Sequence, residues 1–136
     1  MTSRIAVIDF ETTGSTPAQG ARATEVAIVL VEDGRVVDQF QSLMNAGVRI
    51  PLFITQLTGI TNAMVADAPP AAEVMAQARR FVGDTPLVAH NAPFDRGFWQ
   101  AELALAGCDA PQPFACTVRL SRRLYPEATN HKLGTL

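Results

Sequence analysis

The ten residues IAVIDFETTG (5–14) join a strand of buried type to a pair of acids. Isoleucine and valine dominate the first half, which is typical of a central strand buried on most sides. Asp9 and Glu11 then stand two residues apart, and a Thr-Thr-Gly turn (12–14) ends the pattern. Because alternate residues of a strand point to the same face, we expect the two carboxylates to be neighbours.

Two neighbouring carboxylates at the end of a buried strand need a physical reason. Burial and mutual repulsion raise the pKa of a carboxyl group unless a cation lies nearby. Oxygen ligands without a histidine or thiolate cluster favour Mg²⁺ or Mn²⁺, and open α/β sheets bind ligands at their strand ends. A single acid at such a position is more typical of a turn or a helix cap. The pair, rather than Asp9 alone, therefore predicts a metal site.

The rest of the chain predicts a mixed sheet. Strand-type sequence recurs at Thr24–Val31 and Val36–Leu43, and the EDGR turn (32–35) between them predicts a hairpin. Two further strands, at 85–90 and Phe114–Cys116, alternate with helices, which is typical of parallel strands. We expect an α/β fold in which an antiparallel meander is followed by parallel strands.

Helices are predicted between and after these strands. Two short helical pieces follow Pro51, and longer helices are expected at Ala71–Phe81, at 93–106 and at Thr117–Tyr125. They are expected to flank the sheet.

A third carboxylate follows the predicted strand at 85–90. The sequence HNAPFD places Asp95 in the first turn of the next helix. If that strand lies beside the first one, Asp95 reaches the same edge of the sheet as Asp9 and Glu11. An acid also suits the positive N-terminal end of a helix by itself, so this alternative stays open.

Three residues around Asp95 have two interpretations each. His90 and Asn91 are either substrate contacts or members of a turn whose hydrogen bonds are satisfied within the protein. Phe94 is typical of a core side chain, although aromatic rings also stack on bases. The sequence alone does not decide between these interpretations.

Composition limits the classes of protein that fit. A chain of 136 residues with 48% hydrophobic and 18% charged residues is typical of one globular domain. A net charge of −2 does not indicate a general phosphate-binding surface, so any nucleic acid would have to be held locally. We expect a soluble cytoplasmic protein without a membrane segment, and we assign no role to Cys108 and Cys116.

Together the motifs resemble the DEDD (DEDDh-type) superfamily of 3′–5′ exonucleases, and are similar to the proofreading epsilon-type subunits of bacterial DNA polymerase III. DFETTG (9–14) matches the first motif and HNAPFD (90–95) the second. LTGIT (57–61) and residues 116–136 are also similar, so the resemblance covers nearly the whole chain. It implies an RNase H-like fold and a metal-dependent hydrolase that acts on DNA 3′ ends in proofreading or repair.

The resemblance also implies a site. Asp9, Glu11 and Asp95 would be catalytic and would bind two Mg²⁺ or Mn²⁺ ions, which lie about 3.5–4 Å apart in two-metal sites. One ion would activate a water, and the other would stabilise the leaving 3′ oxygen. The implied partners are a single-stranded DNA 3′ end and, as a second candidate, a DNA polymerase subunit. Implied substrate contacts are Thr12 and Thr13 through backbone groups, Leu57 and Ile60 against the terminal base, and His90, Asn91 and Phe94.

The chain departs from the family at its third motif, His-x-x-x-x-Asp, which supplies a general base and a fourth acid. The last histidine is His131, and Leu136 occupies the position five residues later. We therefore expect a single domain truncated before that motif, with the C-terminal part of the fold missing. Because a missing base costs about 10²–10⁴ in rate, the activity of this 136-residue form stays open.

Two alternative functions also stay open. An exoribonuclease acting on short RNA is one, because the matched motifs do not read the 2′-hydroxyl. The other is a nuclease-like module that binds nucleic acid or a polymerase without catalysis. In that module Arg119, Arg122 and Arg123 on one helix face would contact phosphates, or would form an ordinary solvated face.

Overall fold

The computed structural model describes residues 3–116, which contain one five-stranded sheet. The strands lie side by side in the order β3-β2-β1-β4-β5. Their bounds are Arg4–Thr12 for β1, Ala23–Glu32 for β2, Arg35–Leu43 for β3, Leu87–Ala89 for β4 and Phe114–Cys116 for β5.

The sheet is mixed, as the sequence predicted. β1 and β3 each pair antiparallel with β2, whereas β4 is parallel to both β1 and β5. Asp33 and Gly34 both have positive φ, 51° and 81°, which is the conformation that a tight two-residue hairpin requires. The predicted hairpin and the α/β fold class are therefore confirmed.

Four helices accompany the sheet within the described residues. They are α1 (Leu52–Thr58), α2 (Asn62–Ala66), α3 (Ala71–Val82) and α4 (Ala92–Leu105). A short 3₁₀ turn at Pro17–Gln19, which the sequence did not predict, lies between β1 and β2. The helix expected at 117–125 and the third-motif position at His131 lie outside the described residues.

The core lies between one face of the sheet and the longer helices. Ala6, Ile8 and Phe10 of β1 are buried, and α4 contributes Phe98 and Trp99 to the same cluster. The alternate residues of β1 differ, because Val7 is 39% exposed and Asp9 is exposed. Within residues 3–116, β1 is central in the sheet but buried on one face only, which corrects the expectation that it is buried on most sides.

The strand directions bring three strand ends to one edge of the sheet. β1 and β4 run parallel, and β3 runs in the same direction as β1 because both are antiparallel to β2. Across this edge Glu11 lies opposite Glu25, and Glu25 lies opposite Leu43. We call the edge that carries Asp9, Glu11 and Asp95 the acidic edge.

None of the helices in residues 3–116 has the length and apolar character needed to cross a membrane.

Candidate active site

Asp9 and Glu11 lie on the same face of β1, because buried Phe10 between them points to the core. Glu25 on β2 stands directly opposite Glu11, so its side chain shares that face. No sequence signal identifies Glu25 as part of this group. The strand pairing, not any local motif, brings it there.

Asp95 reaches β1 through a hydrogen bond to the backbone. Its side chain is 4% exposed in the first turn of α4, and its Oδ1 accepts a hydrogen bond from Phe10 N at 3.2 Å. The parallel ladder between β1 and β4 pairs only Ala6 and Val7, so Phe10 lies beyond it. The Asp95 carboxylate therefore accepts a backbone hydrogen bond that a longer β4 would otherwise accept.

Burial and repulsion both perturb the acids of this edge. Burial, followed by repulsion from Asp9, raises the pKa of Asp95 to about 7, although hydrogen bonds from backbone N–H groups oppose the rise. The pKa of Asp9 is raised by desolvation and by Glu25, and that of Glu11 by desolvation, Asp9 and Glu25. These groups are therefore close enough to disfavour one another's ionised forms.

Three arginines within residues 3–116 form ion pairs away from this edge. These pairs are Arg4–Glu32, Arg22–Glu102 and Arg79–Asp109, and none of the three includes Asp9, Glu11 or Asp95.

The donor chemistry of the acidic edge fits a hard divalent cation. No three acidic, histidine or cysteine side chains within residues 3–116 are already arranged as a metal-binding group. Asp9, Glu11 and Asp95 nevertheless offer oxygen ligands whose mutual repulsion a cation would relieve. Mg²⁺ typically uses one or two protein carboxylates and keeps several waters, so it does not need a complete protein cage.

The two threonines after Glu11 use their hydroxyl groups within the protein. Thr12 Oγ1 donates to Gly14 O at 2.7 Å, and Thr13 Oγ1 accepts from Arg22 N at 3.0 Å. Thr13 N also donates to Arg22 O at 2.9 Å. A contact between these residues and a nucleotide would therefore have to use other atoms than these.

Leu57 and Ile60 differ sharply in exposure. Leu57 on α1 is 80% exposed, whereas Ile60 is buried in a small cluster that includes Ile54. Ile60 follows Gly59, whose left-handed conformation ends α1 and turns the chain inward. The side chain of Ile60 therefore lies beneath α1 in this structure, and its implied contact with a base stays a prediction.

The apolar face of α1, formed by Leu52, Phe53 and Leu57, is a further feature of this edge. These side chains are 73%, 67% and 80% exposed. Leu43, at the β3 end of the acidic edge, packs against the cluster beneath α1. Residues 39–66 contain no acid and one arginine, so this segment adds no negative charge to the edge.

The residues around Asp95 form the start of α4. Asn91 is exposed, and its carbonyl oxygen accepts hydrogen bonds from Phe94 N and Asp95 N, both at 3.1 Å. His90 is half-buried directly after β4. The ring of Phe94 packs against Phe98 with centroids 5.0 Å apart and is partly buried against the core, while its contact with substrate stays a prediction.

Known families and proteins match nearly the whole length of the chain. The family model RNase_T, described as an exonuclease, matches residues 6–136. The chain is 39% identical over 134 residues to the 3′-5′ exonuclease DinG of Bacillus subtilis, covering 98% of this chain and 14% of the relative. It is 40% identical over 132 residues to the PolC-type DNA polymerase III of the same organism, covering 96% of this chain and 9% of that protein.

One epsilon-like protein and two solved structures are also similar to this chain. The DNA polymerase III subunit epsilon-like protein of Rhodobacter capsulatus is 41% identical over 132 residues, covering 96% of this chain and 19% of the relative. Exonuclease X in complex with 5′ overhanging duplex DNA superposes with a TM-score of 0.72 at 32% identity, covering 90% of this chain and 64% of that chain. Apo exonuclease I has a TM-score of 0.82 at 18% identity, covering 96% and 33%, which shows the fold alone.

These relatives are much longer than the chain, which spans 9–19% of the three sequence relatives named here. The family model nevertheless covers nearly all of the chain, and the matched structures share its sheet and helices. The resemblance to 3′–5′ exonucleases and the RNase H-like fold are thereby confirmed. The chain belongs to the exonuclease family, a family of nuclease hydrolases.

Proposed function

We propose that this domain is a metal-dependent 3′–5′ exonuclease that hydrolyses phosphodiester bonds at DNA 3′ ends. The observation that carries the proposal is the hydrogen bond from Phe10 N to the Asp95 carboxylate. It brings an acid from a distant motif to the two acids of β1. Family membership supports the reaction class, and this convergence of acids supports the acidic edge as the proposed place of reaction.

In this proposal the acids of the chain bind and orient the reacting groups. Asp9, Glu11 and Asp95 hold Mg²⁺ or Mn²⁺, with two ions in the complete site. Such ions, when bound, supply an activated water and stabilise the charge on the leaving oxygen. Burial of Asp95 excludes water from one side of the site, which strengthens its interaction with a cation.

DNA is the proposed substrate because of what the neighbours bind and what α1 exposes. Exonuclease X was solved with 5′ overhanging duplex DNA, and exonuclease I of E. coli was solved as a zinc-bound complex with single-stranded DNA. Leu52, Phe53 and Leu57 offer a sequence-tolerant surface for unpaired bases on α1, whose supporting cluster contacts the β3 end of the acidic edge through Leu43. Arg49, the one charged residue of segment 39–66, would favour the phosphates there.

The proposed setting is proofreading or repair beside a DNA polymerase. Its support is the likeness to PolC-type polymerases and to an epsilon-like subunit. Co-migration of the protein with a replicative polymerase from its own organism in size-exclusion chromatography would test this partner.

A digestion assay tests the activity itself. The substrate is 5′-labelled single-stranded DNA with Mn²⁺, and the longest form expressed from the gene is assayed beside these 136 residues. We expect a ladder that shortens from the 3′ end and is lost in Asp9→Asn and Asp95→Asn. Asp38→Asn is the matched control, because Asp38 lies on β3 away from the acidic edge. Full digestion by both acidic-edge variants would contradict the proposal.

A further inference from the structure

One arginine–glutamate pair joins the elements that carry the acidic edge. Glu102 on α4 is 2% exposed and lies seven residues after Asp95. Seven residues are about two helical turns, so both side chains lie on one face of α4, about 10 Å apart along its axis. The helix that carries Asp95 is therefore held to the sheet at two points.

The contacts of Glu102 are those of a bidentate pair. Arg22 Nε donates to Glu102 Oε2 and Arg22 Nη2 donates to Oε1, each at 2.9 Å. Hydrogen bonds to Glu102 are the main cause that raises the pKa of Arg22. Such a fork fixes orientation as well as distance, since both nitrogens must meet both oxygens.

Glu102 also holds a β-bulge next to Glu11. The β1–β2 register pairs Glu11 with Glu25 but Thr12 with Ala23, so Thr24 is the extra residue. Ala23 N donates to Glu102 Oε2 at 3.0 Å instead of completing a regular ladder. Because a bulge bends its strand and re-aims nearby side chains, Glu102 stabilises the geometry that surrounds Glu11.

Arg22 also forms hydrogen bonds with Thr13 and Ala46, in two other segments near the edge. Its backbone N–H and C=O both bond to Thr13, at 3.0 and 2.9 Å. Its Nη1 donates to Ala46 O at 3.3 Å, in the segment that leads to α1. Arg22 thus links the turn after β1 through its backbone, and the helix that carries Asp95 and the approach to the apolar face of α1 through its side chain.

We propose that Arg22 and Glu102 are positioning residues, which hold Asp95 against Asp9 and Glu11 in the arrangement that binds divalent ions. This inference rests on the proposed function, since it concerns the same acids. Neither residue touches the acids directly. Their effect is transmitted through α4 and through the bulge in β2.

The test measures Mn²⁺ affinity from the electron paramagnetic resonance signal of free Mn²⁺, without substrate. Groups that orient metal ligands typically change affinity 10–100-fold when mutated. We expect Glu102→Gln to raise the Mn²⁺ Kd about ten-fold or more, and Arg22→Lys, which keeps the charge but loses the fork, to raise it less. Asp109→Asn, which breaks the Arg79–Asp109 pair away from the edge, should leave Kd within about two-fold.

For every variant, the circular dichroism spectrum and the denaturation midpoint are measured beside the Mn²⁺ titration, to separate a loss of folding from a loss of affinity. A lower midpoint with an unchanged Mn²⁺ Kd in Glu102→Gln would show that the pair is only structural and would overturn the inference. An equal loss of affinity in Asp109→Asn would also overturn it. If Glu102→Gln does not fold, Arg22→Lys decides by the same criterion. A wild-type protein that binds no Mn²⁺ would overturn the proposed function, and this inference with it.

Discussion

Glu11 and Glu25 lie directly opposite each other on β1 and β2, at the edge of the sheet where β1 ends. Like charges in this position destabilise a sheet. Glu25 also raises the pKa of Asp9 and of Glu11, and Glu11 contributes to the raised pKa of Asp95. A cation bound at this edge would relieve the repulsion between the carboxylates. Without a cation, the repulsion lowers the stability of the folded state.

Replacing Glu25 with glutamine should therefore stabilise the metal-free protein. We expect a gain of about 0.2–1 kcal/mol in the free energy of unfolding, because the opposed charges are removed while the size of the side chain is kept. Urea unfolding in EDTA measures it. Glu32→Gln is the control, since Glu32 pairs with Arg4 at 3.5 Å and its loss should not stabilise. A Glu25→Gln protein less stable than wild type would contradict this account of the edge.

The raised pKa of Asp95 should make the metal-free protein less stable as pH rises. Its folded pKa of about 7 exceeds the unfolded value of 3.8, so the folded state holds the proton more tightly. That stability is full below about pH 4 and is lost as pH rises through about 7. For this group alone we expect a loss of about 2–3 kcal/mol between pH 5 and pH 8.

Urea unfolding at several pH values in EDTA measures this dependence. Asp95→Asn should remove most of it, because asparagine does not titrate. A pH dependence that is the same in wild type and Asp95→Asn would show that Asp95 does not carry the shift.

Phe53 should contribute to the binding of single-stranded DNA. We expect Phe53→Ser to weaken binding by about 1–3 kcal/mol, the range for one base stacked on an aromatic ring. Fluorescence anisotropy of a labelled oligothymidylate, in an Asp9→Asn background that prevents digestion, measures it. Val36→Ser is a matched control, since Val36 is 66% exposed and Phe53 is 67% exposed. Val36 lies at the start of β3, far along the strand from Leu43 and the acidic edge. Equal losses in both variants would exclude a specific role for α1.

Local sequence signals predicted most of the fold. The Asp33–Gly34 turn and the apolar strands on either side of it act over a few residues, so their pattern is readable without the structure. Asp95 was placed at the edge by a topological rule, since parallel strands end together. The structure agrees with that placement, because Asp95 accepts a hydrogen bond from the backbone N–H of Phe10 on β1.

What the sequence did not reveal depends on distant pairing. Glu25 joins the acids only through the register of β1 and β2, and Arg22 meets Glu102 across 80 residues of chain. The sequence also did not reveal that Ile60 is buried, because a motif carries no information about which side chain points outward. The left-handed Gly59 before it decides that direction.

The most direct test of the central claim is a calorimetric titration of the wild-type protein, Asp9→Asn and Asp95→Asn with Mn²⁺ at pH 8. If acids from the two motifs form one metal site, wild type binds Mn²⁺ and each single variant loses most of that affinity. If Asp95→Asn binds Mn²⁺ as tightly as wild type, Asp95 does not share a site with Asp9, and the account of a joint metal centre is contradicted.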